Sequence, residues 1–351
     1  MRSPRPVDER RAEVERYDFR RVHPQLHFGS ASDRSAAWID QIYPRDVWAG
    51  EVQTRRKTVG GESFEERLLP VASVEDYFLH FGVLEIDFTY YRPLLEDTGK
   101  PSTNLFTLER TVDAAPATAR FVLKAPQQFL ARRLRRKVEG RWAYVDNPDF
   151  LDAAAFARRF VVPAQRALGV KLAGVILEQP YERAGDSPPS EVFVDEWARF
   201  VEALPPAAYH VEVRSSHQLT ARYFEWLANA EVGLCFSHWQ WLPPLVDQWR
   251  MAGERFTAAG RTAIVRLIQP RDMTFDASWR LAYPFDAPAP GLSDTPEARR
   301  MIDEATALMY QAVEAGVTLD VIGNNRIWGN TPDLARTLAH RFLDFAERRG
   351  A

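Results

Sequence analysis

The chain has 351 residues, of which 46% are hydrophobic and 26% are charged, and these proportions are ordinary for a soluble globular protein of one or two domains. The formal net charge of -3 gives no overall basic field, so the totals do not favour non-specific attraction to nucleic acid or to an anionic membrane. The single cysteine, Cys235, excludes an internal disulfide, and with no secretory signal and no apolar run of about 18 residues we expect a cytoplasmic protein without a membrane span.

The predicted elements follow a polar N-terminal segment. Residues 1–24 are crowded with arginine and acidic residues, and we expect a polar arm that is mobile or lies over the surface. Eight short apolar segments then predict strands, at residues 25–30, 83–88, 120–125, 172–177, 209–213, 232–236, 262–267 and 317–322. Helical spacing alternates with them, at residues 71–81, 104–113, 149–168, 191–204, 220–230, 296–315 and 332–348.

This alternation determines the predicted fold class. Strands that alternate with helices pair in parallel through right-handed crossovers, and eight such units fit a closed barrel better than an open sheet. No Gly-x-Gly-x-x-Gly or phosphate-loop motif follows any strand. We therefore predict a single (β/α)8 barrel of the TIM type over residues 25–351, with a polar insertion at residues 49–70 and an aromatic loop at residues 238–260.

Residues 81–93 form a segment with two acidic residues for which the rest of the chain must supply partners. Its apolar run carries two acids, Glu85 and Asp87, and alternate side chains of a strand share a face, so both are expected to point the same way as Val83. A buried carboxylate without a partner loses its hydration at a large cost in free energy. The two acids therefore need cations, a metal ion or a ligand nearby.

Polar residues recur where the predicted strands end, which is where the chemistry of a TIM barrel is found. They are Glu85 and Asp87 on the second strand, Lys124 on the third, Glu178 on the fourth, Glu212 and Arg214 on the fifth, Ser237 and His238 on the sixth, Arg266 on the seventh, and Asn324 and Asn325 on the eighth. If these side chains point inward, carboxylates and cations, with Arg92 as a further candidate, face one another across one mouth. Such a ring of mixed charge suits general acid–base chemistry, and the alternative interpretation is a purely structural salt-bridge network.

The preferred hypothesis is an enzyme acting on a small polar substrate that carries hydroxyl or carboxylate groups. Glu85 and Glu212 are the candidate acid and base, while Lys124, Arg214 and Arg266 would hold negative charge. Substrate contacts are predicted for Asp87, Tyr90, Tyr91, Arg92, Glu178, His238, Trp239, Arg266, Asn324 and Asn325. The residues do not separate a hydrolase from an isomerase or lyase.

Several collinear motifs resemble the YecE-like family, also known as domain of unknown function 72. They are Glu-Ile-Asp-Phe-Thr-Tyr-Tyr-Arg-Pro at residues 85–93, Phe-Val-Leu-Lys-Ala-Pro at 121–126, Leu-Gly-Val-Lys-Leu-Ala-Gly-Val-Ile-Leu-Glu-Gln-Pro at 168–180, Val-Glu-Val-Arg at 211–214, residues 265–267 and the pair Asn324 and Asn325. The resemblance extends from Gly29 to the last helix and implies a TIM-type barrel. It implies no particular activity.

Departures from the family pattern point to a divergent branch. Asp87 stands where the family usually has Asn, and Glu178 stands where it usually has Gln, so two amides are replaced by acids. The histidines expected near Ala131 and Ser215 are missing. Ile268 and Gln269 replace the usual His-Gly after the seventh strand. These changes make the mouth more negative and suggest a different substrate from that of the rest of the family.

A second hypothesis is a divalent-metal-dependent nuclease or another enzyme that processes nucleic acid. Glu85, Asp87, Glu178, Glu212 and His238 offer the oxygen and imidazole ligands that Mg2+ or Mn2+ would use. A basic cluster at residues 132–137, which follows the third strand, could contact phosphates, although such runs are more often a solvated surface. No cofactor follows from the residues with certainty.

A third hypothesis is a non-catalytic protein that binds a ligand or partner, and in which the charged ring is a structural network. The aromatic loop, with Trp239, Trp241 and Trp249, would overhang the mouth and either stack on a ligand or clamp the loop to the barrel. Trp328, together with Tyr90 and Tyr91, adds aromatic rings to the same rim.

Overall fold

The computed structural model describes residues 6–349, in which eight parallel strands form a closed barrel. The strands are β1 (Leu26–Ser30), β2 (Val83–Ile86), β3 (Phe121–Lys124), β4 (Leu172–Gln179), β5 (Tyr209–Val213), β6 (Gly233–His238), β7 (Thr262–Leu267) and β8 (Thr318–Gly323). Each strand pairs with its neighbours along the chain, and β1 closes the barrel by pairing with both β2 and β8. The predicted (β/α)8 barrel of the TIM type is confirmed.

Helices cover the outside of the barrel. The main ones are Val74–His80, Thr103–Ala114, Val162–Leu168, Ser190–Glu202, Ala221–Asn229, Leu245–Met251, Phe275–Ala282, Pro296–Glu314 and Thr331–Arg349. Several begin at a capping side chain, as in Thr295, whose hydroxyl accepts a hydrogen bond from the Ala298 amide immediately before a helix that starts with proline. Helix Leu245–Met251 lies within the predicted aromatic loop, and Phe275–Ala282 was not predicted from the sequence.

The inside of the barrel is built in layers, because alternate residues of every strand point inward. Its central layer is apolar and is formed by Ala31, Val83, Val122, Ile176, Cys235, Ile264 and Ile322. The layer above it, towards the carboxyl ends of the strands, lies two residues further along each strand and is polar. Glu85, Lys124, Glu178, Ser237 and Arg266 belong to this upper layer.

The described part of the N-terminal segment is a helix, Val7–Glu15, and it lies against the last helix of the barrel. Arg11 makes an ion pair of 2.7 Å with Asp344, and Glu15 lies 2.9 Å from His340. The segment expected to be a polar arm is therefore docked on the barrel over these residues. No helix in residues 6–349 combines the length and the apolar character that crossing a membrane requires.

Two antiparallel hairpins project from the barrel. The first hairpin, Gln53–Val59 with Glu62–Leu68, is the predicted insertion. It packs against the helix Phe275–Ala282 through Phe64 and Trp279, whose ring centroids are 6.4 Å apart. The second hairpin, Arg133–Val138 with Arg141–Asp146, follows β3 and contains most of the basic cluster. That cluster lies on an extended hairpin rather than in an irregular connection.

Candidate active site at the carboxyl rim

Six charged side chains of the upper barrel layer form one ion-pair network, which we call the charged ring. Its members are Glu85, Lys124, Glu178, Glu212, Arg214 and Arg266. Arg266 lies at its centre and binds Glu85 through two parallel hydrogen bonds of 2.8 and 2.6 Å. The same guanidinium donates a short hydrogen bond to Glu212. Residues more than 180 positions apart in the chain are thus brought into direct contact.

Glu178 completes the ring on the side of the third and fifth strands. Its carboxylate lies 2.7 Å from Lys124 Nζ and accepts a hydrogen bond of 2.7 Å from Arg214. Burial alone would raise the pKa of Glu178, but the positive charges of Arg214, Lys124 and Arg266 outweigh it and hold the pKa below its usual range. Three carboxylates therefore face three cations, and the ring is neutral as a whole.

The charged ring is sealed from solvent. The side chains of Glu85 and Glu212 are 0% exposed, and that of Arg266 is 4% exposed. The ring of Tyr90 covers Lys124 at 3.9 Å, and Trp239 covers Arg214 at 4.4 Å, both as cation–π contacts. Ser237 adds a hydrogen bond of 2.5 Å to Glu212. The four predicted catalytic residues, Glu85, Lys124, Glu212 and Arg214, do converge, but they do so as a largely buried network of ion pairs.

An open cavity of about 820 Å³ lies next to the charged ring, and we call it the rim pocket. It is bounded by the ends of β1 and β8, by the turn after β2, by the first hairpin and by helix Phe275–Ala282. Among the described residues its lining includes Asp87, but neither Glu85 nor Glu212. Aromatic walls are supplied by Trp38, Tyr91, Phe275, Trp279, Tyr283 and Phe285. The pocket has the volume and the mixed lining of a small-molecule site.

Asp87 is the acidic group on the inner side of the rim pocket. β2 ends at Ile86, so Asp87 lies in the following turn and not within the strand as the sequence predicted. No described residue forms a hydrogen bond or an ion pair with its carboxylate. Burial, followed by the charge of Glu85, raises the pKa of Asp87 to about 6, although Lys124, Arg266 and Lys57 oppose this shift. A carboxyl group with this pKa can both donate and accept a proton near neutral pH.

Arg326 is a cation of the rim pocket that, like the more exposed Arg67, lacks a carboxylate partner among the described residues. Its Nε donates to Asn324 Oδ1 at 3.2 Å and its Nη1 donates to Gln269 Oε1 at 3.3 Å, so neutral amides hold the guanidinium in place. The guanidinium also lies 4.3 Å from the ring of Phe275. Burial, with the nearby charges of Arg214 and Arg266, lowers the pKa of Arg326 to about 10, which leaves it charged at neutral pH. An anion in the pocket would supply the missing counter-charge.

The two asparagines after β8 serve the pocket in different ways. Asn324 orients Arg326 and also caps the turn by accepting a hydrogen bond from the Arg326 amide at 3.1 Å. Asn325 accepts hydrogen bonds from the amide and the hydroxyl of Thr331 at 2.8 and 2.7 Å. Both residues line the pocket, as does Tyr91.

Two predicted site residues lie elsewhere. Arg92 pairs with Glu96 at 2.7 Å on the outer surface and does not reach the charged ring. His238 follows the inward-facing Ser237 and therefore points outward, where its Nε2 lies 3.6 Å from Glu297. Burial, followed by the charge of Arg271, lowers the pKa of His238 to about 3, so the imidazole is neutral at physiological pH.

Several pocket residues were missed from the sequence. The first hairpin contributes Arg55, Lys57 and Arg67, which the sequence presents only as part of a polar insertion. Arg55 and Lys57 are both paired with Glu66. Arg326 follows the predicted pair Asn324 and Asn325 directly. Its position just after the last strand is the feature of the sequence that indicates a place at the barrel mouth.

The described residues offer no group of three or more His, Cys, Asp or Glu side chains arranged to hold a metal ion. Of the five proposed ligands, Glu85, Glu178 and Glu212 have oxygens bound by arginine or lysine, and His238 faces away from them. Asp87 is the member of that set that remains open to the pocket. Metal binding stays a prediction from the sequence.

Comparisons with known proteins place the chain among relatives of undefined activity. The family model described as Protein of unknown function DUF72 matches residues 54–348. A DUF72 family protein from Thermotoga maritima is similar in structure with a TM-score of 0.53 and 15% identity, over 91% of this chain and 99% of that one. A DUF72 family protein from Enterococcus faecalis gives a TM-score of 0.55 and 13% identity, over 91% and 95%. No curated protein matches the chain.

Proposed function

The chain belongs to the DUF72 family of proteins of unknown function, and we propose that it is an enzyme that binds a small anionic substrate in the rim pocket and transfers a proton through Asp87. Arg326 would bind the anionic group of the substrate. The observation that carries the proposal is the presence, in one pocket, of an unpaired carboxyl group with a raised pKa and a cation without a carboxylate partner among the described residues.

The charges favour an anionic substrate over a neutral or cationic one. Arg45 pairs with Asp40, and Arg55 and Lys57 share Glu66, whereas Arg67 has no carboxylate partner among the described residues and adds a further positive charge to the pocket wall. Arg326 adds a positive charge held only by amides and an aromatic ring. A carboxylate or phosphate would bind this planar group through paired hydrogen bonds, which is the geometry that arginine recognises best.

Asp87 suits proton transfer better than the acids of the charged ring. Glu85 and Glu212 are fully buried and bound by Arg266, so a substrate in the pocket would have to displace an arginine to reach them. Asp87 faces the pocket directly. A pKa of about 6 places both of its protonation states within reach at neutral pH. The proposal therefore moves the acid–base role from Glu85 and Glu212 to Asp87.

The charged ring has a supporting role in this proposal. The negative charge of Glu85 helps to raise the pKa of Asp87, whereas Lys124 and Arg266 limit the rise. Arg214 and Arg266 also lower the pKa of Arg326. Their positive charges would favour the binding of an anion beside that guanidinium. Glu85, Lys124, Arg214 and Arg266 thus act on the pocket through its electrostatics rather than by touching the substrate.

The proposal is tested by a thermal-shift screen with small carboxylates, hydroxy acids and sugar phosphates, followed by product analysis of each ligand that binds. We expect at least one compound of this set to raise the Tm of the wild-type protein. Arg326→Gln should abolish that shift. Asp87→Asn should keep the shift but form no product by mass spectrometry.

Arg92→Gln is the matched control, because Arg92 is an arginine of the same rim that pairs with Glu96 outside the pocket. It should bind and turn over like the wild type. Retention of the ligand-induced shift by Arg326→Gln, or full turnover by Asp87→Asn, would contradict the assignment of these two residues. Release of the ligand unchanged by the wild type would instead identify a binding protein.

A further inference from the structure

The second hairpin is a solvent-exposed surface that the proposed activity does not use. It rises from the rim after β3, and most residues of both strands are exposed. Its base is fixed by Asn147, whose side-chain amide donates to the carbonyl groups of Gln128 and Ala131 at 2.6 and 2.7 Å. Arg132, the first basic residue of the cluster, belongs to this base and pairs with Glu196 at 2.5 Å. The strands beyond the base are free to meet a partner.

The pairing register divides the hairpin into two faces, because residues directly opposite in an antiparallel pair share a face. Arg135 is paired with Tyr144, Lys137 with Trp142, and Arg133 with Asp146. These residues form one face, which we call the ladder face. The other face carries Arg136 opposite Ala143 and Val138 opposite Arg141, and we call it the back face.

The ladder face sets a row of three cations on one strand against Trp142, Tyr144 and Asp146 on the other, and its two aromatic rings are open to solvent. Trp142 and Tyr144 are each 63% exposed, and no described aromatic ring packs on either. The guanidinium of Arg135 lies 5.4 Å from the ring of Trp142. Along a strand, residues two apart are separated by about 7 Å, so each ring has room for a flat ligand of its own. Exposed tryptophan and tyrosine side by side on a projecting hairpin are unusual unless something binds them.

We propose that the ladder face binds single-stranded nucleic acid. Arg135 and Lys137 would contact the phosphates, and Trp142 and Tyr144 would stack on bases, which is the combination found where proteins hold single strands without sequence preference. Arg133 is already paired with Asp146 at 3.8 Å. A membrane surface fits less well, because burying the two rings in lipid would carry the cations on the opposite strand towards the hydrocarbon. An acidic protein would form ion pairs with the cations, but it would offer no planar groups on which the two aromatic rings could stack.

The experiment compares two variants that remove the same charge from opposite faces. Fluorescence anisotropy is measured with labelled oligo(dT) and oligo(U) of about 12 nucleotides, a length within the usual site size for a single strand. Arg135→Gln with Lys137→Gln removes two cations from the ladder face. Arg136→Gln with Arg141→Gln removes two cations from the back face, which makes it the matched control. Unchanged thermal unfolding shows that each variant retains the barrel.

We expect the ladder-face variant to bind about 10-fold or more weakly, and its salt dependence to fall by about 1.4 in slope, since each phosphate contact on a single strand contributes about 0.7. The back-face variant should lose less than about 3-fold. Trp142→Ala, which keeps every charge, should lose about 10-fold because a stacked base is worth roughly 1–3 kcal/mol.

The proposal is overturned if the two double variants weaken binding equally, since this would mean a non-specific response to charge. It is also overturned if Trp142→Ala binds like the wild type, or if the wild type fails to bind either oligonucleotide at low salt. Binding to heparin or to phosphatidylserine vesicles with no response to the oligonucleotides would assign the face to an acidic protein or to a membrane instead. The rim pocket is untouched by these variants, so their outcome is independent of the proposed activity.

Discussion

Two acids on the same short stretch of chain have opposite environments. Glu85 lies in the charged ring and is bound by Nε and Nη2 of the Arg266 guanidinium, whereas Asp87, two residues later, faces the rim pocket and is bound by no described residue. The charged ring is neutral and closed. The pocket holds an unsatisfied acid and an arginine without a carboxylate among the described residues. A satisfied network stabilises a fold, and an unsatisfied pair is what a ligand can complete.

The largest effect should come from removing the centre of the charged ring. Arg266→Met leaves Glu85 buried without a cation and Glu212 with Arg214 alone, and we expect the free energy of unfolding to fall by about 3–5 kcal/mol. Urea denaturation measures it. Arg92→Met is the control, because Arg92 is half-exposed and its pair with Glu96 should be worth less than about 1 kcal/mol. Equal stabilities for the two variants would mean that the ring contributes nothing to the fold.

A smaller loss is expected from Glu212→Gln. The amide keeps the shape of the side chain and can still accept from Ser237, but it loses the charged hydrogen bond with Arg266, while Glu85 continues to neutralise that arginine. We expect a loss of about 2 kcal/mol in the free energy of unfolding, typical of a hydrogen bond to a charged group. Calorimetry at pH 7 provides the measurement. A gain in stability would mean that the Glu212 carboxylate, like that of Asp87, lacks stabilising partners in the folded protein.

Asp87→Asn should act in the opposite direction and stabilise the protein at pH 7. The pKa of Asp87 is raised from 3.8 to about 6 in the folded state, so keeping the group ionised at neutral pH costs free energy. The penalty is absent below pH 4, grows as the pH rises from about 4 to 6, and is complete above that range. We expect a gain of roughly 1–2 kcal/mol at pH 7.

Unfolding curves of Asp87→Asn and the wild type across this pH range should therefore converge at low pH. A variant that is less stable than the wild type at pH 7 would mean that Asp87 makes a favourable contact and is not free to react. A gain that persists unchanged below pH 4 would show that its origin is not the ionisation of Asp87.

The smallest effect on stability should come from Arg326→Gln. Two hydrogen bonds to Asn324 and Gln269 are lost, but so is the repulsion from Arg214 and Arg266, and these changes oppose each other. We expect the free energy of unfolding to change by less than about 1 kcal/mol. A loss as large as that of Arg266→Met would make Arg326 part of the structural network.

Much of the fold could be predicted from the sequence, because a barrel repeats one physical pattern. Short apolar strands alternate with amphipathic helices, and the polar upper layer follows the apolar layer by two residues, as in Val83 and Glu85 or Ile264 and Arg266. The same period of two also predicts that His238, next to the inward-facing Ser237, must face outward.

The division between the charged ring and the rim pocket could not be predicted. Glu85 and Asp87 have the same chemistry and nearly the same position, and only the end of β2 at Ile86 separates their surroundings. The first hairpin and helix Phe275–Ala282 meet across about 210 residues of chain to build the outer wall of the pocket, through contacts such as Lys57 over Trp279 at 4.1 Å. Neither the sequence of the hairpin nor that of the helix indicates that the two segments are in contact.

The titration of the Asp87 carboxyl group, followed by carbon-13 NMR and assigned by the signal that Asp87→Asn removes, tests the contrast between the two regions most directly. We expect a midpoint at about pH 6, in the free protein and without any ligand. A midpoint at or below the ordinary value of 3.8 would show that the folded protein stabilises the Asp87 carboxylate, and it would leave the rim pocket without its acid–base group.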